Sequence, residues 1–137
     1  MSYLHVEQLT AVFDEYVEVR GAVTQRLRAP FHTGYRNLQR ADHSLETTYI
    51  VRLFVEFEGV LRLVLLTHDL RRRVSREAYN RINRAARLFS IPDPIHDAVH
   101  DAREYRNSVV HPGGVRIASF SIRQARSVLN RFLKPLS

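Results

Sequence analysis

Residues 50–66 read IVRLFVEFEGVLRLVLL. This is the longest apolar stretch of the chain, but Arg52, Glu56, Glu58 and Arg62 interrupt it, which makes it too polar to cross a bilayer. It reads instead as a buried helix. Ile50, Leu53, Phe54, Phe57, Val60, Leu61 and Val64 recur at helical spacing and define its main apolar face. Val51, Val55, Leu65 and Leu66 form a second face with Glu58 in its midst. A helix that is apolar on two sides has two partners, and a second copy of the chain can be one of them.

Working outward, the same periodicity predicts four more helices. Asp42 or Ser44 is the expected cap of the long helix, which continues to about His68. Before it, Arg28 to Ala41 contains Pro30 and Gly34 and reads as a loop of unusual length. The first helix runs from about Tyr3 to Arg28, with Leu4, Leu9, Val12, Phe13, Tyr16, Val19 and Val23 on its apolar stripe. After His68, Ser75 is expected to cap a third helix to about Phe89, with Tyr79, Ile82, Ala86 and Phe89 inward. Asp93-Pro94 starts a fourth, as an N-cap followed by proline at the first helical position. It ends near Val110, because His111 precedes Pro112 and a pre-proline residue is pushed out of the α region. Val115 to Phe120 is short and β-like or irregular. Ser121-Ile122-Arg123-Gln124 fits a capping box for a last helix to about Lys134. The fold class is all-α: one domain over residues 1–137, an up-and-down bundle of four to five helices.

Composition agrees. The chain has 137 residues, 45% of them hydrophobic, enough for one core. It has no cysteine, which excludes disulfides and thiolate metal sites and fits a reducing compartment. The first residues mix Glu, Asp and His with apolar positions instead of forming a secretory signal. The expectation is a soluble cytoplasmic protein with no membrane partner. The net charge is +7, carried by arginine almost throughout, with Lys134 the sole lysine. Such a surface favours polyanions, and guanidinium makes bidentate phosphate contacts that ammonium cannot.

The chemistry concentrates at the end of the fourth helix, in Arg106-Asn107-Ser108-Val109-Val110-His111-Pro112-Gly113. Arginine followed by histidine after four to six residues is weak evidence by itself. About three such pairs are expected by chance in so arginine-rich a chain. Four occur: Arg26–His32, Arg36–His43, Arg62–His68 and Arg106–His111. Only the last combines a polar residue directly after arginine, the end of an amphipathic helix and a His-Pro-Gly stop. Its rival, Tyr35-Arg36-Asn37 before His43, falls in the expected loop. On a continuous helix Arg106 and His111 would point about 140° apart, so the helix break is what lets them converge.

Arg106, Asn107 and His111 resemble the signature of the HEPN superfamily of small α-helical domains. That signature is arginine followed by Asn, Asp or His, then histidine after four to six residues near a helix end. The resemblance implies a metal-independent endoribonuclease without cofactors. Arg106 would hold the scissile phosphate, His111 would handle the proton of a ribose 2′-hydroxyl, and Asn107 would orient His111 or bind a phosphate oxygen. The products would be a 2′,3′-cyclic phosphate and a 5′-hydroxyl. Two motifs would meet across a homodimer, and a neutralising partner such as a small nucleotidyltransferase-like antitoxin would suit a toxin or defence effector. The tyrosine that some members carry just before the motif histidine is missing, since Ser108-Val109-Val110 stands there.

Further residues complete this reading. Arg71-Arg72-Arg73, Arg76, Arg81, Arg84 and Arg87 form the most basic stretch, which reads as an RNA track or as a solvated helix face. Arg72, Arg73, Arg76, Arg84 and Arg103 are the candidate RNA-binding arginines, and Tyr105 is a candidate for packing or base stacking. Glu58 is either an accessory to the site or an i+4 partner of Arg62. His96-Asp97 and His100-Asp101 have metal-binding spacing but no evident third ligand set, so no metal is expected. Two other readings stay open: a non-catalytic HEPN module binding RNA, nucleotide or protein, and a basic helix-turn-helix DNA-binding regulator. For the latter, a short partner helix joined by a tight turn is missing.

Overall fold

A computed structural model describes residues 4–28, 35–111, 113 and 120–136, with the side chains of 4, 5, 35–38 and 43 outside the description. Five helices pack together: α1 (Leu4–Arg28), α2 (Tyr35–His68), α3 (Ala78–Leu88), α4 (Asp93–Val110) and α5 (Ile122–Leu133), closed by a 3₁₀ turn, Lys134–Leu136. The described residues contain no strand, and no helix among them is long and apolar enough to cross a membrane. Of the expected irregular stretch Val115 to Phe120, only Phe120 lies among the described residues, and it is not helical.

The long helix is the axis of the core. Ile50, Leu53, Phe54, Phe57, Val60, Leu61 and Val64 are all buried, as the periodicity predicts. Against them lie Leu9, Val12, Phe13 and Tyr16 of α1, and Ile122, Ala125, Leu129, Phe132 and Leu133 of α5. Polar contacts fix the directions. Glu15 meets Tyr49 and Arg52, Tyr16 meets Glu46, and Arg20 meets Asp42, so α1 and α2 run antiparallel. Glu46 accepts from the Ile122 backbone and Phe57 packs on Phe132, so α5 runs parallel to α2. Tyr79 and Asn83 of α3 face His100 and His96 of α4 in antiparallel order.

Three boundary expectations and one burial expectation are corrected. The second helix starts at Tyr35, so neither Asp42 nor Ser44 caps it, and residues 35–41 of the expected loop are helical. Asp42 instead lies 2.9 Å from Arg20 Nε, and Ser44 Oγ donates back to the Ala41 carbonyl at 3.2 Å. The rival Tyr35-Arg36-Asn37 segment is therefore helical, not loop. Ser75 does not cap α3, whose N-cap is Glu77. Its Oγ accepts from the Glu77 backbone at 3.2 Å and holds the turn before the helix. Pro92, one residue before the expected Asp93, is the N-cap of α4. Tyr79, expected inward, is 51% exposed, while Ala85 is buried in its place.

The second apolar face of α2 is also smaller than expected. Leu65 is fully buried because α3 packs near that end of α2, and Val51 is half-buried. Val55 and Leu66 remain exposed.

The predicted capping box of α5 is present. Ser121 Oγ accepts from Gln124 N at 3.1 Å and Gln124 Oε1 accepts from Ser121 N at 2.9 Å. Glu46 adds a carboxylate at the same N-terminus, where the helix dipole favours it. Ser121→Ala should cost about 1 kcal/mol in urea unfolding, and Ser121→Gly only a few tenths. Equal stability of the alanine variant and wild type would contradict this role for the cap.

Candidate active site at the end of α4

Val99 and Ala102 are the buried positions of α4, and Arg106 continues their stripe one turn further. The apolar pattern thus pushes a guanidinium toward α2. There Arg106 Nη2 pairs with Glu58 Oε1, both side chains being about four-fifths buried. Arg106 Nη1 donates to Asn107 Oδ1 at 3.1 Å, and the guanidinium carbon sits 5.4 Å from the centre of the Phe54 ring. Arg106 Nε is buried with no acceptor. A guanidinium has five N–H donors, and these two acceptors use two of them. Glu58 therefore meets Arg106 across the bundle, and no ion pair joins it to Arg62 among the described residues.

The helix ends where the sequence predicts. The last helical residue is Val110, and His111 leaves the α region with φ −118° and ψ 78°. Its backbone N–H still reaches the Asn107 carbonyl at 2.8 Å, closing the last turn. Gly113 follows at φ +113°, a conformation that favours glycine. The His111 side chain is exposed, and among the described residues it makes no hydrogen bond to Arg106, Asn107 or Glu58. Within one chain, then, hydrogen bonds join Glu58, Arg106 and Asn107, and the His111 side chain is not part of that set among the described residues.

No family model, curated protein or solved structure matches this chain.

The other predicted residues divide into two places. Arg72, Arg73 and Arg76 are exposed at the joint between α2 and α3, and Arg84 is half-buried beside them. No hydrogen bond or ion pair links this group to Arg106, Asn107 or His111 among the described residues. Tyr105 is half-buried against the core, its ring 5.9 Å from that of Phe120. That contact supports the packing role.

Arg103 belongs to a cluster that sequence reading only half anticipated. Asn83 Oδ1 of α3 sits 2.6 Å from His96 Nε2 and 2.8 Å from His100 Nε2. Arg103 Nε donates to His100 Nδ1 at 3.3 Å, and its guanidinium lies 5.3 Å from the Tyr79 ring centre. An accepting Nδ1 leaves the proton of a neutral His100 on Nε2, which is then a donor and not a metal ligand. Asp97 and Asp101 are exposed, and no three His, Asp or Glu side chains gather to hold a metal among the described residues. The available clue was the i, i+4 pair of histidines; their partner on α3 was not signalled.

Burial, then the nearby His96 and Arg103, hold His100 below its usual value of 6.5; Glu104 and Asp97 oppose this. The folded state thus binds a proton less readily than the unfolded chain. The contribution is present above about pH 6.5 and is lost as pH falls through the depressed value. The urea midpoint should fall between pH 7.5 and pH 5, and His100→Gln should make that fall smaller. An identical pH dependence in the two proteins would refute the assignment.

Proposed function

We propose that this chain is a metal-independent endoribonuclease of the HEPN type. The observation that carries the reading is the largely buried Arg106, held by Glu58 of another helix at the helix end that releases His111. In the proposed reaction Arg106 binds the scissile phosphate through its unused N–H donors and stabilises the charge that develops there. Glu58 and Asn107 position the guanidinium. His111 takes the proton of the ribose 2′-hydroxyl as that oxygen attacks phosphorus. The bond from phosphorus to the 5′-oxygen breaks, and that oxygen takes up a proton, leaving a 2′,3′-cyclic phosphate and a 5′-hydroxyl.

His111 makes no hydrogen bond to Arg106 among the described residues, and in this proposal a homodimer supplies the second acid–base group. The exposed Val55 and Leu66 of α2 are the proposed contribution of the long helix to that interface. A toxin or defence role in the cytoplasm, neutralised by a nucleotidyltransferase-like partner, completes the proposal.

The test is incubation of the purified protein with RNA in EDTA. Cyclic-phosphate ends are the expected product. RNA binding without cleavage would select the second reading, a non-catalytic module. That reading is favoured by one observation: Glu58 already neutralises Arg106. The helix-turn-helix reading loses support because Tyr79 and Asn83 of α3 are engaged with α4.

A further inference from the structure

The strongest unused feature is a cavity of about 280 Å³ between α3 and the joint that precedes it. Arg72, Arg73, Arg81, Arg84 and Arg87 line it, together with Asn83. No carboxylate does. The chain has 14 acidic residues, all of them described. Those that form ion pairs are Glu15, Asp42, Glu46, Glu58 and Glu104, and none is paired with a cavity arginine among the described residues. Five like charges around one small space repel each other unless an anion joins them.

A second observation points the same way. Arg84 Nε and Nη1 are shielded from solvent and have no acceptor. Buried donors are nearly always satisfied, so two on one charged group call for a ligand oxygen. The remaining wall is already set for that task. Arg81 Nε is anchored on the Ser75 carbonyl, which fixes its guanidinium while leaving other N–H groups unused. The two histidines occupy Asn83 Oδ1, which turns its amide nitrogen into the available group. Arg81, Arg84 and the Asn83 amide nitrogen thus all present donors.

We infer that this cavity binds a phosphomonoester, either a free nucleotide or the phosphorylated end of an RNA. Ser75 and Asn80 also line the cavity, but its charged groups are all guanidinium donors; such a wall suits an anionic acceptor, and a phosphomonoester offers three oxygens and up to two negative charges. The cavity volume is at the small end for ligand sites, which suits one nucleotide and not a strand passing through. The inference differs from an RNA track along the exposed arginines, and it does not depend on the ribonuclease reading.

Calorimetry with uridine 5′-monophosphate and with uridine tests it, alongside anisotropy with short RNAs ending in 5′-phosphate or 5′-hydroxyl. The nucleotide should bind and uridine should not. Arg84→Met should weaken nucleotide binding at least tenfold. Arg87→Gln, at an exposed position whose change spares the core, should weaken it several-fold. Arg76→Met and His111→Ala should leave it within twofold, which separates this pocket from both the track and the proposed active site. Preference for the free nucleotide identifies one source, and tenfold tighter binding of the 5′-phosphate RNA identifies the other. Equal binding of nucleotide and nucleoside, or unchanged binding by folded Arg84→Met and Arg87→Gln, would overturn the inference.

Discussion

If the proposed ribonuclease reading holds, replacing His111 by alanine should lower the single-turnover rate of RNA cleavage by about 10²–10⁴-fold while leaving RNA affinity nearly unchanged. The size of the effect follows from the role of a positioned proton acceptor. Its selectivity follows from the structure. The His111 side chain is exposed, and its structural contribution is a backbone hydrogen bond to Asn107 that alanine keeps. The melting temperature should therefore stay close to that of wild type. Arg106→Ala should behave differently. It removes the proposed phosphate contact, which should cost on the order of 10²–10³ in rate, and it strands the largely buried Glu58 without its partner. Activity and stability should fall together. Arg106→Lys keeps the charge but not the planar fork, so it should restore stability better than activity. Wild-type cleavage rates in both His111→Ala and Arg106→Ala would remove these residues from the site.

The parts of this arrangement that were legible share one property: their signals are local. Pro112 forces His111 out of the helix, and the Ser121–Gln124 pair writes its own cap within four residues. The start of α2 was misread because Asp42 and Ser44 are good caps in isolation. In the folded chain Asp42 is drawn to Arg20 of α1, and Ser44 bonds backward to Ala41, so the helix passes through both. Tertiary pairing overrode a local preference.

The Glu58–Arg106 pair was undecidable for the complementary reason. Arg62 lies one turn from Glu58, whereas Arg106 lies 48 residues away. Only the packing of α4 on α2 selects between them. Leu65 shows the same effect, since a second apolar stripe on α2 can meet another helix or another chain. The approach of α3 claims Leu65 and leaves Val55 and Leu66 outside.

Phe57→Ala should destabilise the protein by about 3–5 kcal/mol in urea unfolding followed by circular dichroism. Phe57 is fully buried, with its ring 5.5 Å from Phe54 and 5.6 Å from Phe132, both edge-on. Truncation loses the apolar burial, leaves a cavity between α2 and α5, and breaks two aromatic contacts at once. Against a typical total of about 5–15 kcal/mol, that is enough to unfold a marginal variant. Val55→Ala, on the same helix but 59% exposed, should cost less than about 0.5 kcal/mol in the monomer. The contrast tests the helix face directly, because a one-residue rotation of α2 would move Phe57 off the core. It also reaches the site. Phe54 packs on Phe57 and lies under Arg106, so a cavity at Phe57 should loosen the guanidinium before the bundle unfolds. Cleavage in Phe57→Ala should then fall at temperatures where its helix content is still native. A loss below about 1 kcal/mol would mean that α2 and α5 do not meet through these rings.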